Sequence, residues 1–81
     1  MGSKIELGRP AGSMVAVTKS NSVDIADGPS RALLVGTAGT ANIVMADGTT
    51  LSNVPLQQGY NPLRVQRVNT GGTASDIWAL L

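Results

Sequence analysis

The chain has 81 residues, a net charge of +1 from six basic and five acidic side chains, and neither Cys nor His. That length holds one domain, and the two missing residue types exclude disulfides, thiolate or imidazole metal sites and the usual nucleophile–histidine pairs. A core of this size is marginal without such aids, so self-association is the expected source of the remaining stability.

Residues 1–13 read as an N-terminal arm. Gly2, Gly8, Pro10 and Gly12 interrupt it, leaving Ile5 and Leu7 as its internal aliphatics. A segment of this kind is either disordered or extended against a neighbour, and Ile5-Glu6-Leu7 alternates as a short edge strand would.

Residues 14–81 then form a single β domain. Met14 to Lys19 is its first strand, ended by Ser20-Asn21-Ser22, and Val23-Asp24-Ile25 alternates briefly. Asp27-Gly28-Pro29-Ser30 is a turn, because Gly tolerates positive φ and Pro fixes its own. Arg31 to Gly36 is a nearly unbroken apolar strand, residues 37–40 are the next turn, and Ala41 to Ala46 is another strand. Asp47-Gly48 is the strongest hairpin dipeptide in the chain. Thr49 to Leu51 carries the return strand, Asn53-Val54-Pro55 closes it, and Gln57 to Asn61 is loop.

Pro62 to Val68 is the next strand, with Leu63 and Val65 facing one way and Arg64 and Gln66 the other. Strict alternation then turns Arg67 inward. A β-bulge would restore Val68 to the core; otherwise the second face is covered as well. Asn69 to Thr73 is a turn, and Asp76 to Leu81 is the last strand. No segment carries the i, i+3, i+4 spacing of an amphipathic helix. The expected fold is all-β, a small antiparallel sandwich or barrel-like domain with an extended arm.

Two strands are apolar on both faces. Leu33 and Val35 oppose Ala32 and Leu34, while Ile77, Ala79 and Leu81 oppose Trp78 and Leu80. A sandwich buries only one face of each sheet, so the other face must meet an arm, a loop or another subunit. The core itself must be Ala, Val, Leu and Ile, since the chain holds one Trp, one Tyr and no Phe.

Catalytic and cofactor chemistry is not expected. Asp27 and Asp47 sit in turns, Asp24 could pair with Asp27 but with no general acid or metal motif beside them, and Asp47-Gly48-Thr49 lacks the other oxygens of a calcium loop. The Gly-rich pieces at 36–39 and 70–73 do not have phosphate-loop spacing. The basic residues are scattered and only Tyr60 and Trp78 offer stacking surfaces, which argues against nucleic-acid binding. No run approaches a membrane span or a leader's apolar core, so no membrane role is expected and synthesis is placed in the cytoplasm. Arg64 and Arg67 suit either an anionic partner or a solvated strand face, and Trp78 suits either an interface anchor or core filling.

The succession of Asp27 to Gly36, Ile43 to Thr49, Val54-Pro55, Pro62 to Val68 and Thr73 to Leu80 has a wider likeness. In order and spacing over residues 22–81 it resembles the spike base protein family of tailed-phage and gene-transfer-agent particles. The N-terminal arm departs from that pattern. The resemblance implies a virion structural protein on the capsid exterior, a symmetric oligomer that decorates or cements the shell or forms the base of a head spike. Its implied partners are its own copies, as a trimer or a pentamer, and the major capsid protein or other virion proteins; the family brings no catalytic residues. Candidate interface residues are Ile5, Leu7, Leu33, Val35, Arg64, Arg67, Trp78 and Leu80. The alternative is a receptor- or carbohydrate-binding module of a tail or fibre, centred on Tyr60 with Gln57, Gln58 and Asn61.

Overall fold

The structure is a computed structural model that describes residues 12–81. The described strands are β1 (Met14–Ala16), β2 (Ala32–Thr37), β3 (Gly39–Met45), β4 (Thr50–Leu56), β5 (Gly59–Asn61), β6 (Val65–Val68) and β7 (Ser75–Leu80). They form a four-stranded sheet in the order β1-β7-β2-β5 and a three-stranded sheet in the order β4-β3-β6, antiparallel throughout. The all-β expectation holds. The arm, including Ile5 and Leu7, lies outside the described residues.

A single bent hairpin builds most of the sandwich. Asp47-Gly48 makes its tip: Gly48 has φ 93° and donates to the Met45 carbonyl, Met45 donates to Thr49, and Asp47 Oδ1 accepts from the Thr49 amide. From that tip β3 pairs with β4 in one sheet, and the same two arms continue as β2 paired with β5 in the other. Only Ala38 separates β2 from β3, so the chain turns a sheet corner within one residue. Gly39 permits it: a Cβ there would stand 2.6 Å from the Ala74 amide nitrogen.

Pairing also corrects two expectations. Residues 57–61 are not all loop, because Gly59–Asn61 completes the ladder to Val35, Leu34 and Leu33. The stretch from Pro62 to Leu81 holds two strands that belong to different sheets, so residues 69–74 are a crossover rather than a hairpin turn. Gly72 (φ 76°) sits in that crossover, where Thr73 and Ala74 both donate to the Thr40 carbonyl.

The broken alternation in β6 resolves as a bulge. Met45 pairs with Val65 and Val44 with Arg67, leaving Gln66 as the extra residue. Val65 and Val68 therefore both point inward, at 0% and 1% exposure. Arg67 is left opposite Val44 and forms an ion pair with Asp24 at 3.3 Å.

The core between the sheets joins Leu33, Val35, Ile77 and Ala79 to Ala41, Ile43, Leu56, Val65 and Val68, with Ile25 and Ala74 closing its ends. Two polar residues enter it. Ser30 Oγ accepts from the Val65 amide and donates to the Leu63 carbonyl, both at 3.1 Å. Asn61 folds its amide onto Gln57 and Gly59 backbone groups, so no described buried side-chain polar atom lacks a partner.

Candidate functional site

The outer face of the four-stranded sheet is the feature that the fold leaves unexplained. Odd-numbered residues of β2 and β7 point into the core, so their even-numbered neighbours point out. Register places Ala16, Trp78, Leu34 and Tyr60 in one row across all four strands, and Met14, Leu80 and Ala32 in the next. None of these side chains is charged. Met14 is 45% exposed, Leu34 38%, Tyr60 56% and Trp78 41%, so an indole, a phenol ring and two aliphatic side chains meet water together. A contiguous patch of this kind marks an interaction surface far more often than scattered apolar residues do.

The opposite sheet presents a different surface. Arg67 and Gln66 both bond Asp24 there, Arg67 also bonds Asn69, and Asn21 receives the Thr70 amide and hydroxyl. Lys19 reaches across to the Gly71 and Ala74 carbonyls, at 3.2 and 2.7 Å, and so ties the crossover down. These groups satisfy one another within the chain. The asymmetry between the sheets is therefore one of chemistry: one face is polar and self-bonded, the other is apolar over two rows and carries a charge beyond them at the exposed Asp76, beside Gly36.

The predicted interface residues divide accordingly. Trp78 and Leu80 lie on the outer face. Leu33 and Val35 do not: at 0% and 2% exposure they are sealed in the core, because their parity in β2 is the inward one, and they offer nothing to a partner. Arg67 is engaged with Asp24, and Arg64 is exposed just before β6. Ile5 and Leu7 lie outside the described residues. Leu34, Met14 and Tyr60 join the face unpredicted as a group. Their signal was available in Leu34's opposition to Leu33, but the row needs cross-strand register.

No match to a family model, a curated protein or a solved structure was found for this chain. Among the described residues no group of three or more His, Cys, Asp or Glu side chains is gathered for a metal, and no helix is long and apolar enough to cross a membrane. The polar companions of Tyr60 have prior commitments: Gln57 Nε2 donates to the Tyr60 carbonyl at 2.7 Å, and Asn61 is spent on the 57–61 turn. A sugar laid on Tyr60 would find Gln58 as its nearest uncommitted amide in that turn.

Beside β1 runs a second feature, a groove of ≈ 420 Å³ lined by Val15, Val17, Val23, Ile25 and their neighbours. Val23 on its wall is 66% exposed.

Proposed function

We propose that this chain is a non-enzymatic structural protein of a virion or virus-like particle. It acts as a symmetric oligomer on the capsid exterior, either decorating the shell or forming the base of a head spike. The apolar rows of the outer face carrying Trp78, Leu34, Tyr60 and Met14 are the observation that carries the reading. A free monomer would keep that face wet at a cost of roughly 25 cal/mol for each Å² left uncovered. Covering it with copies of the chain or with shell protein removes that cost, and repetition over a symmetric particle lets modest single contacts act together. The likeness of residues 22–81 to spike base proteins supplies the kind of particle.

The test is reconstitution. The gene's neighbours are read first; if they include capsid genes, particles assembled from those genes without the chain are mixed with purified protein, sedimented and imaged. Wild-type protein adds ordered density to the capsid exterior. Trp78→Ser with Leu34→Ser, both at exposed positions, keeps the β-sheet circular dichroism and loses particle binding at least tenfold. Equal binding by the double variant, or a gene with no capsid, portal or tail neighbours, removes the proposal. Density at a tail fibre, or glycan binding lost on Tyr60→Ala, would instead favour receptor recognition.

A further inference from the structure

A sheet edge is a row of unpaired backbone groups, and proteins normally blunt such edges. Three of the four edges here are blunted in identifiable ways. On β6, Ser20, Ile25 and Ser30 donate to the Val68, Gln66 and Val65 carbonyls. On β5, Gln57 Nε2 caps the Tyr60 carbonyl. On β4, Pro55 lacks an amide hydrogen, and a register shift opposite Asn42 leaves Asn53 at φ 56° with its amide on Asn42 Oδ1. The outer edge of β1 has no comparable device among the described residues.

Which groups β1 presents follows from its ladder to β7. Leu81 donates to Ser13 and Val17 donates to Ile77, which makes 13, 15 and 17 the residues bonded to β7. Met14 and Ala16 belong to the alternate, non-bonded pairs, so their N–H and C=O groups point away from the sheet, and Thr18 continues the series. The run from Met14 to Thr18 holds no Pro and no charge. On its inner side lies the groove lined by Val15, Val17, Val23 and Ile25 and also by Lys19 and Asp24.

We infer that β1 pairs antiparallel with β1 of a second copy of this chain, about a twofold axis at Ala16. This rests on the oligomer part of the function proposed above. The register is self-complementary: Ala16 bonds a second copy's Ala16, and Met14 bonds a second copy's Thr18, giving up to about six backbone bonds. Between those pairs, Val15 meets a second copy's Val17 on the inner side, along the groove, and the two cover Val23. An uncharged strip meets its own copy without like-charge repulsion. The outer rows then run on without a break, from Tyr60, Leu34 and Trp78 through both Ala16 residues to the same side chains of the other copy. One dimer thus presents a doubled apolar platform to the particle.

Roughly a dozen residues a side, at about 30–40 Å² each, give on the order of 400 Å² per partner, about half a standard interface. The isolated dimer is therefore weak, and the lattice supplies the rest.

Full-length protein is examined by light scattering and sedimentation from about 10 µM to 1 mM, a range chosen for an interface of this size. The dimer fraction rises with concentration. Ala16→Pro removes only an outward N–H, keeps the native dichroism and shifts the dissociation constant at least tenfold. Val23→Asp, on the exposed groove wall, does the same by burying a charge. Ala16→Cys, the only thiol in the chain, forms a disulfide dimer on oxidation, whereas Thr50→Cys on the β4 edge does not. A wild-type chain that is monomeric at 1 mM, or Ala16→Pro that dimerises normally, overturns the inference. In the first case, dimerisation on removing residues 1–11 would identify the chain's own arm as the occupant of the edge. The two proposals fail separately: Trp78→Ser with Leu34→Ser loses particle binding but leaves the Ala16→Cys crosslink, and Ala16→Pro loses the concentration-dependent dimer but retains weakened particle binding.

Discussion

Ser30→Ala tests the packing logic at its most exposed assumption, that a buried backbone amide depends on one hydroxyl. Ser30 is fully buried, its Oγ accepts from the Val65 amide at 3.1 Å, and Val65 is itself at 0% exposure. Alanine keeps the Cβ and the backbone bond from Ser30 to the Val65 carbonyl at 3.0 Å, so shape changes little. The Val65 N–H, however, is left buried without an acceptor, which costs about 1–3 kcal/mol. The Leu63 carbonyl loses a donor on its part-buried side, where water replaces it cheaply. The sum is about 2 kcal/mol, and a domain of this size loses roughly 4–8 °C of Tm per kcal/mol, so a fall of about 10 °C is expected. Thermal unfolding followed by circular dichroism at one fixed protein concentration measures it, since self-association makes Tm concentration-dependent. Ser22→Ala, at an exposed position, serves as the control and should move stability by less than about 0.5 kcal/mol. A drop below about 3 °C in Ser30→Ala would mean that the Val65 amide finds water or another acceptor, refuting the accounting.

Gly72→Ala should be far worse than Gly28→Ala in urea titration: both glycines have positive φ, but a Cβ at Gly72 would stand 2.5 Å from the Thr40 carbonyl oxygen while Gly28 faces open space. We expect about 1–2 kcal/mol for Gly28→Ala from the backbone conformation alone, and at least twice that for Gly72→Ala. Lys19→Met keeps the alkyl stem and loses the two carbonyl contacts, so the crossover amides near Gly71 and Ala74 should exchange hydrogen faster while the core amides of β2 do not. The Asp47 carboxyl is held below its ordinary value of 3.8 by the hydrogen bonds from the Thr49 backbone and side chain. Its stabilising contribution is therefore complete above that value and is lost as pH falls through the lowered folded-state pKa. Asp47→Asn should flatten the acid-side decline in Tm, which a melting series from neutral pH downward would show.

The bulge in β6 was legible because Val65 and Val68 lie three apart in a strand that otherwise alternates, and the two valines leave few other ways to reach one core. The Asp47-Gly48 hairpin was legible for an equally local reason, a dipeptide matched to one turn type. Ser30 was not. As the last residue of Asp27-Gly28-Pro29-Ser30 it reads as surface turn, and only the approach of β6 from 35 positions away makes it a buried pin. The turn before Tyr60 was no more legible: Gln57 and Asn61 look like free amides until β5 forms and engages them. Leu33 and Val35 were rightly read as one face of an apolar strand, but which of its faces turns inward is decided by the sheet that packs on it.

The sequence alone determined that the chain is β-structured, that its core is aliphatic, and that β2 and β7 are apolar on both sides. Those properties follow from residue type and period, which act over a few neighbours. The tertiary structure decided which strands share a sheet, which parity is buried, and which edge carries no blunting device among the described residues. Those depend on register between segments distant in the chain, and a shift of one residue would exchange every inward side chain for an outward one. The row of Ala16, Trp78, Leu34 and Tyr60 exists only in that register, drawn from four strands that no local pattern connects.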